Sequence, residues 1–262
     1  MKPTKQNLER LYLKYSRHEF LNSDPVEFPH RYKNRYDIEA VSFIASMFAY
    51  GNVKAMKKFL ESVFNSLGPS PMNSICSGNM LTPGLYYRFQ SEKDVETFLY
   101  ALKEIYSRYN CPQTGDGKFN GIFSRITDGA GSDIKQRIDI LRNLLTEAVP
   151  KDRRTRGYKH LIGAGGDSSA RKRYCMFFRW MTRETFPDFS LYTNISPADL
   201  VIPLDTHIMK ISIKTGLCSR KTQDWKTAVE ITENLRKICP EDPLKYDFCL
   251  TRPGILKDIF PY

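Results

Sequence analysis

Apolar residues recur at helical spacing along most of this chain, and this pattern constrains the fold more than any other feature. A first stretch, with Asp37 in the position of an N-cap, places five apolar residues on one helical face: Ile38, Val41, Ile44, Ala45 and Phe48. The spacing returns in the stretches 53–64, 95–106 and 134–145. Alternation of period two, which is typical of half-buried strands, is nearly absent. The pattern therefore predicts an all-α fold without internal repeats.

The length of the chain sets its domain organisation. With 262 residues and 41% apolar residues, it can form one large core or two smaller lobes that share a cleft. We expect two interlocked lobes that act as a single unit over residues 1–262. Turn-forming residues indicate breaks at 68–71, 111–117 and 186–203, and none of these segments has the composition of a free linker.

Charge and cysteine usage narrow the class of protein. Lys and Arg number 40 against 29 Asp and Glu, a formal net charge of +11, which suits a polyanionic partner such as nucleic acid. The six cysteines form no CxxC pair, so we expect neither an iron–sulfur cluster nor another metal or cofactor. No run of about 18 apolar residues occurs, and no secretory leader is recognisable. We expect a soluble, cytoplasmic monomer that does not enter a membrane.

A basic cluster precedes a glycine-rich segment. Five cations lie within Lys151–Lys159, and they either neutralise phosphates or form a solvated charge run. The glycine-rich segment Gly163-Ala164-Gly165-Gly166 follows. Glycines allow a tight turn whose amides point at an anion. The alternative is a helix C-cap followed by a new N-cap at Asp167 or Ser168.

Two residues beyond the glycines are candidates for chemistry. Lys172 falls in the first turn of an amphipathic helix predicted for 170–183, and Asp205 ends an apolar approach before another helix. A lysine amine can act as a nucleophile, and a neighbouring carboxylate can assist it. Alternatively, Lys172 is one surface cation between Arg171 and Arg173, and Asp205 only caps its helix.

Together these residues resemble the helix-hairpin-helix DNA glycosylases. In that family a glycine hairpin grips the DNA backbone, a lysine near the next helix start attacks the sugar, and an aspartate in a Val-Asp-Thr-His segment assists. The corresponding segment here is Leu204-Asp205-Thr206-His207, and the resemblance covers roughly Lys159–Leu217. Lys172 and Asp205 are 33 positions apart, which is more similar to the archaeal 8-oxoguanine glycosylase branch than to endonuclease III. The hairpin departs from the endonuclease III pattern, because Asp167 stands where that branch has a lysine.

The resemblance implies two helical lobes with a helix-hairpin-helix motif and a DNA-binding cleft between them. It assigns the nucleophile to Lys172 and its assistant to Asp205, within a catalytic region of about 159–217. It also implies a set of residues that contact DNA: Gly163, Gly165, Gly166, Arg171 and Arg173. Because a flipped base leaves a gap in the stack, a wedge residue is implied as well, with the candidates Tyr50 and Asn52. Candidates for the base pocket are Met176 and Asp247.

The function implied is that of a bifunctional DNA glycosylase and AP lyase that excises an oxidised base, 8-oxoguanine first, from double-stranded DNA. Two alternatives stay open. A noncatalytic helix-hairpin-helix DNA-binding module needs the basic cluster and the glycines but not Lys172 beside Asp205. A monofunctional glycosylase uses Asp205 to activate water. From Asp24 to Phe248 the chain is also similar to a bacterial family of uncharacterised proteins.

Overall fold

The computed structural model describes residues 4–80, 82–109, 120–163 and 165–256. Within these ranges the chain is helical and forms no strand, apart from one isolated antiparallel bridge between Tyr87 and Gln90. The all-α prediction is confirmed for this part of the chain. None of its helices is long and apolar enough to cross a bilayer. The break predicted at 111–117 lies outside the described residues.

The described helices follow one another as α1 (Lys5–Tyr15), α2 (Arg35–Met47), α3 (Val53–Leu67), α4 (Pro71–Ser77), α5 (Glu92–Arg108), α6 (Ile122–Ile126), α7 (Ile134–Glu147), α8 (Arg156–Ile162), α9 (Lys172–Thr182), α10 (Thr206–Thr215), α11 (Trp225–Arg236) and α12 (Asp247–Leu256). Short 3-10 turns connect several of them. The helices predicted from periodicity correspond to α2, α3, α5, α7 and α9, with ends that differ by a few residues.

The chain divides into two compact units, and its two ends belong to the same unit. Unit 1 comprises residues 1–27 and 166–262, and unit 2 comprises residues 28–165. The chain therefore starts in unit 1, runs through unit 2 and returns. It passes from unit 2 back to unit 1 within the glycine-rich segment, between Gly165 and Gly166.

Helix α2 lies in the core of unit 2 and is buried on all sides. Every residue from Asp37 to Met47 is buried. Polar side chains in such a helix need hydrogen-bond partners, because water cannot reach them. Glu39 accepts hydrogen bonds from the backbone N–H groups of Ile122 and Phe123, at 2.9 and 3.1 Å. The core helix thus holds the start of α6.

The N-cap predicted for α2 is wrong. Asn34 is the cap, and its side-chain oxygen accepts a hydrogen bond from the backbone N–H of Tyr36 at 2.9 Å. Asp37 lies in the first turn instead, where its carboxylate accepts from the N–H of Met72 at 2.8 Å, in the first turn of α4. A partner 35 residues away decides the role of Asp37. Local pattern does not reveal such a partner.

In unit 1, α9 is tied to its surroundings by a buried network of charges. Arg179 pairs with Asp188, at 3.2 Å, and with Asp247. The Nε of Arg183 lies 2.9 and 3.0 Å from the two carboxylate oxygens of Asp242, and Arg183 also pairs with Asp188. Both arginine side chains are almost fully buried. The network fixes the second half of α9 within unit 1.

The break predicted at 186–203 contains no α-helix, only a 3-10 turn at Pro197–Asp199. Its first part folds back along the end of α9. The N–H of Phe189 donates to the carbonyl of Trp180 and that of Leu191 to the carbonyl of Met181, both at 2.7 Å. This return brings the chain from α9 toward the start of α10.

Candidate functional site

Asp205 is the N-cap of α10, and its two carboxylate oxygens face different groups. The Oδ1 atom accepts hydrogen bonds from the backbone N–H groups of His207 and Ile208, both at 2.9 Å. The Oδ2 atom lies 3.7 Å from Nζ of Lys172. Helix capping and the ion pair with lysine therefore use different atoms. Gly216, in the left-handed region, ends the same helix.

The backbone that leads to Asp205 is held in place by buried side chains and hydrogen bonds. Ile202 and Leu204 are fully buried. The N–H of Ile202 donates to the hydroxyl of Thr232 at 3.0 Å, and the side-chain amide of Gln223 donates to the carbonyl of Leu204 at 3.2 Å. The apolar approach thus gives the Asp205 carboxylate a defined position.

Lys172 is the first residue of α9. The residue before it, Arg171, has a φ of 52° in the left-handed region, so the chain turns sharply into the helix. The side chains of Lys172 and Asp205 are each 27% exposed, so the pair is accessible to solvent. Two residues that are far apart in sequence are thus neighbours within unit 1.

Arg171 lies in the interior of unit 1. It is 8% exposed, its Nη2 donates to the carbonyl of Gly166 at 3.2 Å, and its guanidinium lies 5.5 Å from the centre of the Trp225 ring system. The backbone N–H of Trp225 in turn donates to the carbonyl of Asp167 at 3.3 Å. Arg171 therefore ties the end of the glycine-rich segment to α9 and α11. Arg173, the other predicted DNA contact, is only partly buried.

The glycines of the segment meet specific backbone and packing demands. Gly163 is the C-cap of α8 with a φ of 82°, and Gly166 has a φ of 90°. A Cβ at Gly165 would stand 3.0 Å from the guanidinium of Arg142. The C-cap alternative is correct for Gly163, whereas the N-cap of the next helix is Arg171 and neither Asp167 nor Ser168.

Arg142 is a residue that the sequence analysis missed. It projects from α7, and its guanidinium lies against the backbone of Gly165 in unit 2. The side chain is 25% exposed, so its positive charge lies beside the glycine-rich segment and is accessible to solvent. In the sequence Arg142 is only a cation on the polar face of a helix, and nothing there connects it with a glycine 23 residues later.

The base-pocket candidates are buried in unit 1. Asp247 is 4% exposed and paired with Arg179, and Met176 is 6% exposed. Burial raises the pKa of Asp247, and the negative charge of Asp205 adds to this rise, while Arg179 opposes it. Burial also raises the pKa of the Cys175 thiol to about 12. This cysteine of α9 is therefore protonated at neutral pH and is a poor nucleophile.

The wedge candidates belong to unit 2. Asn52 is the N-cap of α3, and its side-chain oxygen accepts from the N–H of Ala55 at 3.1 Å. The hydroxyl of Tyr50 donates to the side chain of Gln90, and its ring centroid lies 5.7 Å from that of His160. Both residues thus have structural roles, and their contact with DNA stays a prediction.

The basic cluster leads directly into the glycine-rich segment. Lys151–Arg153 form a 3-10 turn, and Arg156 and Lys159 are exposed on α8, which ends at Gly163. Arg153 lies over the ring of Tyr100, with its guanidinium 5.3 Å from the ring centroid. No group of three or more His, Cys, Asp or Glu side chains in the described part of the chain is arranged to hold a metal ion.

Comparison with known proteins identifies the family but not the chemistry. A family model described as "Protein of unknown function (DUF2400)" matches residues 24–256, and the chain belongs to this family. Comparisons with curated proteins and with solved structures gave no match. A proposal for the function therefore has to rest on the geometry around Lys172 and Asp205.

Proposed function

We propose that this protein is a bifunctional DNA glycosylase and AP lyase that removes an oxidised base, with 8-oxoguanine as the first candidate, from double-stranded DNA. One observation carries the proposal, namely the distance of 3.7 Å between Nζ of Lys172 and Oδ2 of Asp205. In the same proposal the glycine-rich segment forms the hairpin of a helix-hairpin-helix motif and binds the DNA backbone. The net charge of +11 favours such a partner.

The proposed reaction begins at the sugar of a flipped nucleotide. Asp205 Oδ2 accepts a proton from the ammonium of Lys172, and the neutral amine attacks C1′. A bond forms between Nζ and C1′, the glycosidic bond breaks, and the base leaves with its electron pair and takes up a proton. Opening of the sugar ring gives a protonated Schiff base. Loss of a C2′ proton then expels the 3′-phosphate and cuts the strand.

The local geometry supports these roles. Two backbone N–H groups hold Oδ1 of Asp205, so Oδ2 stays directed at the lysine instead of rotating away. The pair also stands at the first turns of two helices, α9 and α10. Helix N-termini favour anions, because their backbone N–H groups and dipoles point outward. A nucleotide phosphate near the pair would therefore be stabilised.

Borohydride trapping tests the proposal. The protein is incubated with a duplex that carries 8-oxoguanine, borohydride is added, and covalent adduct, released base and strand cleavage are measured. We expect all three with the wild type and none with Lys172→Gln. The control is Lys210→Gln, which removes an exposed lysine from α10, the helix that Asp205 caps, and should behave as wild type.

The other outcomes decide between the alternatives. Base release without an adduct, lost in Asp205→Asn but kept in Lys172→Gln, would identify a monofunctional glycosylase. If 8-oxoguanine is not released, the same assay is repeated with duplexes that carry other damaged bases. DNA binding without release of any base would overturn the enzymatic proposal and favour a noncatalytic binding module built on the basic cluster.

A further inference from the structure

A cluster of exposed aromatic and cationic side chains lies in unit 2, on and beside the turn Tyr87–Gln90. Tyr87 and Gln90 exchange two backbone hydrogen bonds, each 2.9 Å long. Arg88 between them has a φ of 55° in the left-handed region. This tight turn presents Arg88 and Phe89 at its tip, with Tyr86 just before it.

The turn and the residue before it carry the two most exposed large aromatic side chains among the described residues. Tyr86 is 74% exposed and Phe89 is 60% exposed, and Arg88 between them is exposed as well. Burial of these rings in a partner would remove apolar surface from water, which is favourable. An aromatic pair flanking an arginine at a turn is therefore suited to binding.

The base of the turn is rigid. Leu85, Tyr87 and Gln90 are buried, so the chain alternates between anchoring and exposed residues. The side-chain amide of Gln90 donates to the carbonyl of Gly157 at 3.0 Å, which joins the turn to α8. The Tyr87 ring stacks on that of Phe59 with centroids 5.0 Å apart. The backbone of the turn is therefore already ordered before its tip binds a ligand, which lowers the entropy lost on binding.

Close contact with Gly51 also holds the tip. The Cδ atom of Arg88 lies over the backbone of Gly51, 2.8 Å from the position that a Cβ would take, and the φ of Gly51 is 87°, which favours glycine. The guanidinium of Arg88 lies 5.3 Å from the Phe89 ring centroid and 5.9 Å from that of Tyr50. Arg88 is thus kept beside the exposed ring rather than extended into solvent.

Exposed cations lie on the helix that packs against the tip of the turn. The Phe89 ring lies 4.8 Å from the ring of His160, which belongs to α8. The same helix carries the exposed cations Arg156 and Lys159. Aromatic rings on which bases stack, next to cations that track phosphates, are the combination that binds unpaired nucleotides. In an intact duplex the faces of the bases are already stacked and are not available.

We infer that Phe89 and Arg88 form a stacking site for an unpaired nucleotide of DNA, with Arg156 and Lys159 as contacts for its phosphates. The inference rests on the proposed function only in taking DNA as the partner. It requires neither Lys172 nor Asp205, which lie in unit 1. Single-stranded ends, gaps and bases left without a partner offer such nucleotides.

Binding of a fluorescein-labelled oligothymidylate, followed by anisotropy, tests the inference with the full-length chain. Phe89→Ala should weaken binding by about 5-fold to 150-fold, which corresponds to the loss of one base stack. Phe89→Trp should keep the affinity, and its tryptophan fluorescence should be quenched when the oligonucleotide binds. The control Leu13→Ala removes a 69% exposed apolar side chain from unit 1 and should leave binding unchanged.

The result can be read separately from the glycosylase proposal. Wild-type affinity in Phe89→Ala, or no quenching in Phe89→Trp, would overturn the stacking site even if Lys172 forms an adduct. Weaker binding by Phe89→Ala together with no adduct on any damaged base would support the stacking site and contradict the lyase. Tighter binding of oligouridylate RNA than of oligothymidylate would overturn the choice of DNA. A thermal unfolding curve of Phe89→Ala that matches wild type shows that lost affinity does not reflect misfolding.

Discussion

At the scale of single residues, Asp205 combines two tasks that substitution can separate. Its Oδ1 caps α10 and its Oδ2 faces Lys172. An asparagine keeps an oxygen for the cap but has no charge, whereas an alanine has neither. The pair of variants therefore distinguishes the contribution of Asp205 to stability from its contribution to chemistry.

We expect Asp205→Ala to lower the free energy of unfolding by about 1 kcal/mol, the usual value of an N-cap, and Asp205→Asn to lower it by only a few tenths. Both variants should lower the rate of adduct formation by about 100-fold or more, because the proton acceptor is lost. Urea denaturation and borohydride trapping measure the two effects. Trapping by Asp205→Asn at the wild-type rate would show that the carboxylate is not needed.

The sequence indicates the lysine and the aspartate, but it does not indicate everything around them. Both stand beside recognisable helix starts, where local pattern is informative. The interior position of Arg171 depends on Trp225, and the position of Arg142 depends on Gly165. Each of these contacts joins residues that lie far apart along the chain, so no local pattern reports it.

At the scale of the helix, α9 depends on the charges that hold its second half. Arg183 is buried between Asp188 and Asp242. We expect Arg183→Met to lower the free energy of unfolding by about 3 to 5 kcal/mol, because it leaves Asp242 without its cation and removes one of the two arginines that pair with the buried Asp188. Urea denaturation followed by circular dichroism measures the loss.

An exposed ion pair serves as the comparison for Arg183. Arg31 and Glu61 are 45% and 47% exposed at a separation of 2.8 Å. Arg31→Met should lower the free energy of unfolding by less than about 1 kcal/mol, because water screens such pairs. If Arg31→Met and Arg183→Met lower the free energy of unfolding equally, burial does not decide how much the ion pairs of Arg183 contribute to stability.

The stability of unit 2 should fall in acid because of Asp94 at the start of α5. Asp94 accepts hydrogen bonds from Ser91, at 2.8 Å, and from the hydroxyl of Thr155. Burial raises the pKa of Asp94, but the hydrogen bonds from Thr155 and Ser91 outweigh it and hold that pKa below its usual range. A carboxyl whose pKa is lowered by folding stabilises the protein above its unfolded pKa, about 3.9, and loses this contribution at lower pH.

Asp94→Asn should therefore be less stable than wild type at pH 7, and the difference should shrink as the pH falls below about 4. Urea midpoints measured from pH 7 to pH 3 test this. Asp152→Asn, a substitution at an exposed carboxylate of the same unit, is the control. If the difference in urea midpoint between Asp94→Asn and wild type stays constant or widens in acid, folding does not lower the pKa of Asp94.

Helix α3, which the sequence predicts, and helix α12, which it does not, differ in how their buried residues are distributed. In α3 the buried residues recur at helical spacing, so the sequence predicts the helix. In α12 the consecutive residues 248–252 are all buried. A stretch without contrast between buried and exposed positions has no period to detect. Helix α2 is also buried throughout, but polar residues between its apolar ones keep a period in its sequence.

At the scale of the whole molecule, the chain returns to its starting unit. In unit 1, Glu9 of α1 lies 2.6 Å from Nζ of Lys245 and 2.7 Å from the hydroxyl of Tyr246, at the start of α12. Contacts between the first and last parts of a chain leave no trace in local periodicity. Composition and length therefore predict two lobes but not which segments belong to each.

The net charge of +11 should govern DNA binding by the whole molecule. The affinity for undamaged duplex should fall steeply with salt, because bound phosphates release counterions. If Arg156 and Lys159 each contact a phosphate, Arg156→Gln with Lys159→Gln should reduce the slope of log K against log salt by about 2. Anisotropy titrations over a salt series measure the slope. An unchanged slope would remove these two residues from the DNA contact.

The central claim is that Lys172 is the nucleophile, and peptide mapping of the borohydride-trapped adduct tests it most directly. The wild-type protein is trapped on an 8-oxoguanine duplex, digested with protease and nuclease, and analysed by mass spectrometry. We predict that the reduced sugar remnant is found on Lys172 and on no other amine. A remnant on another lysine or on the N-terminal amine, or no adduct with any damaged base, would contradict the claim.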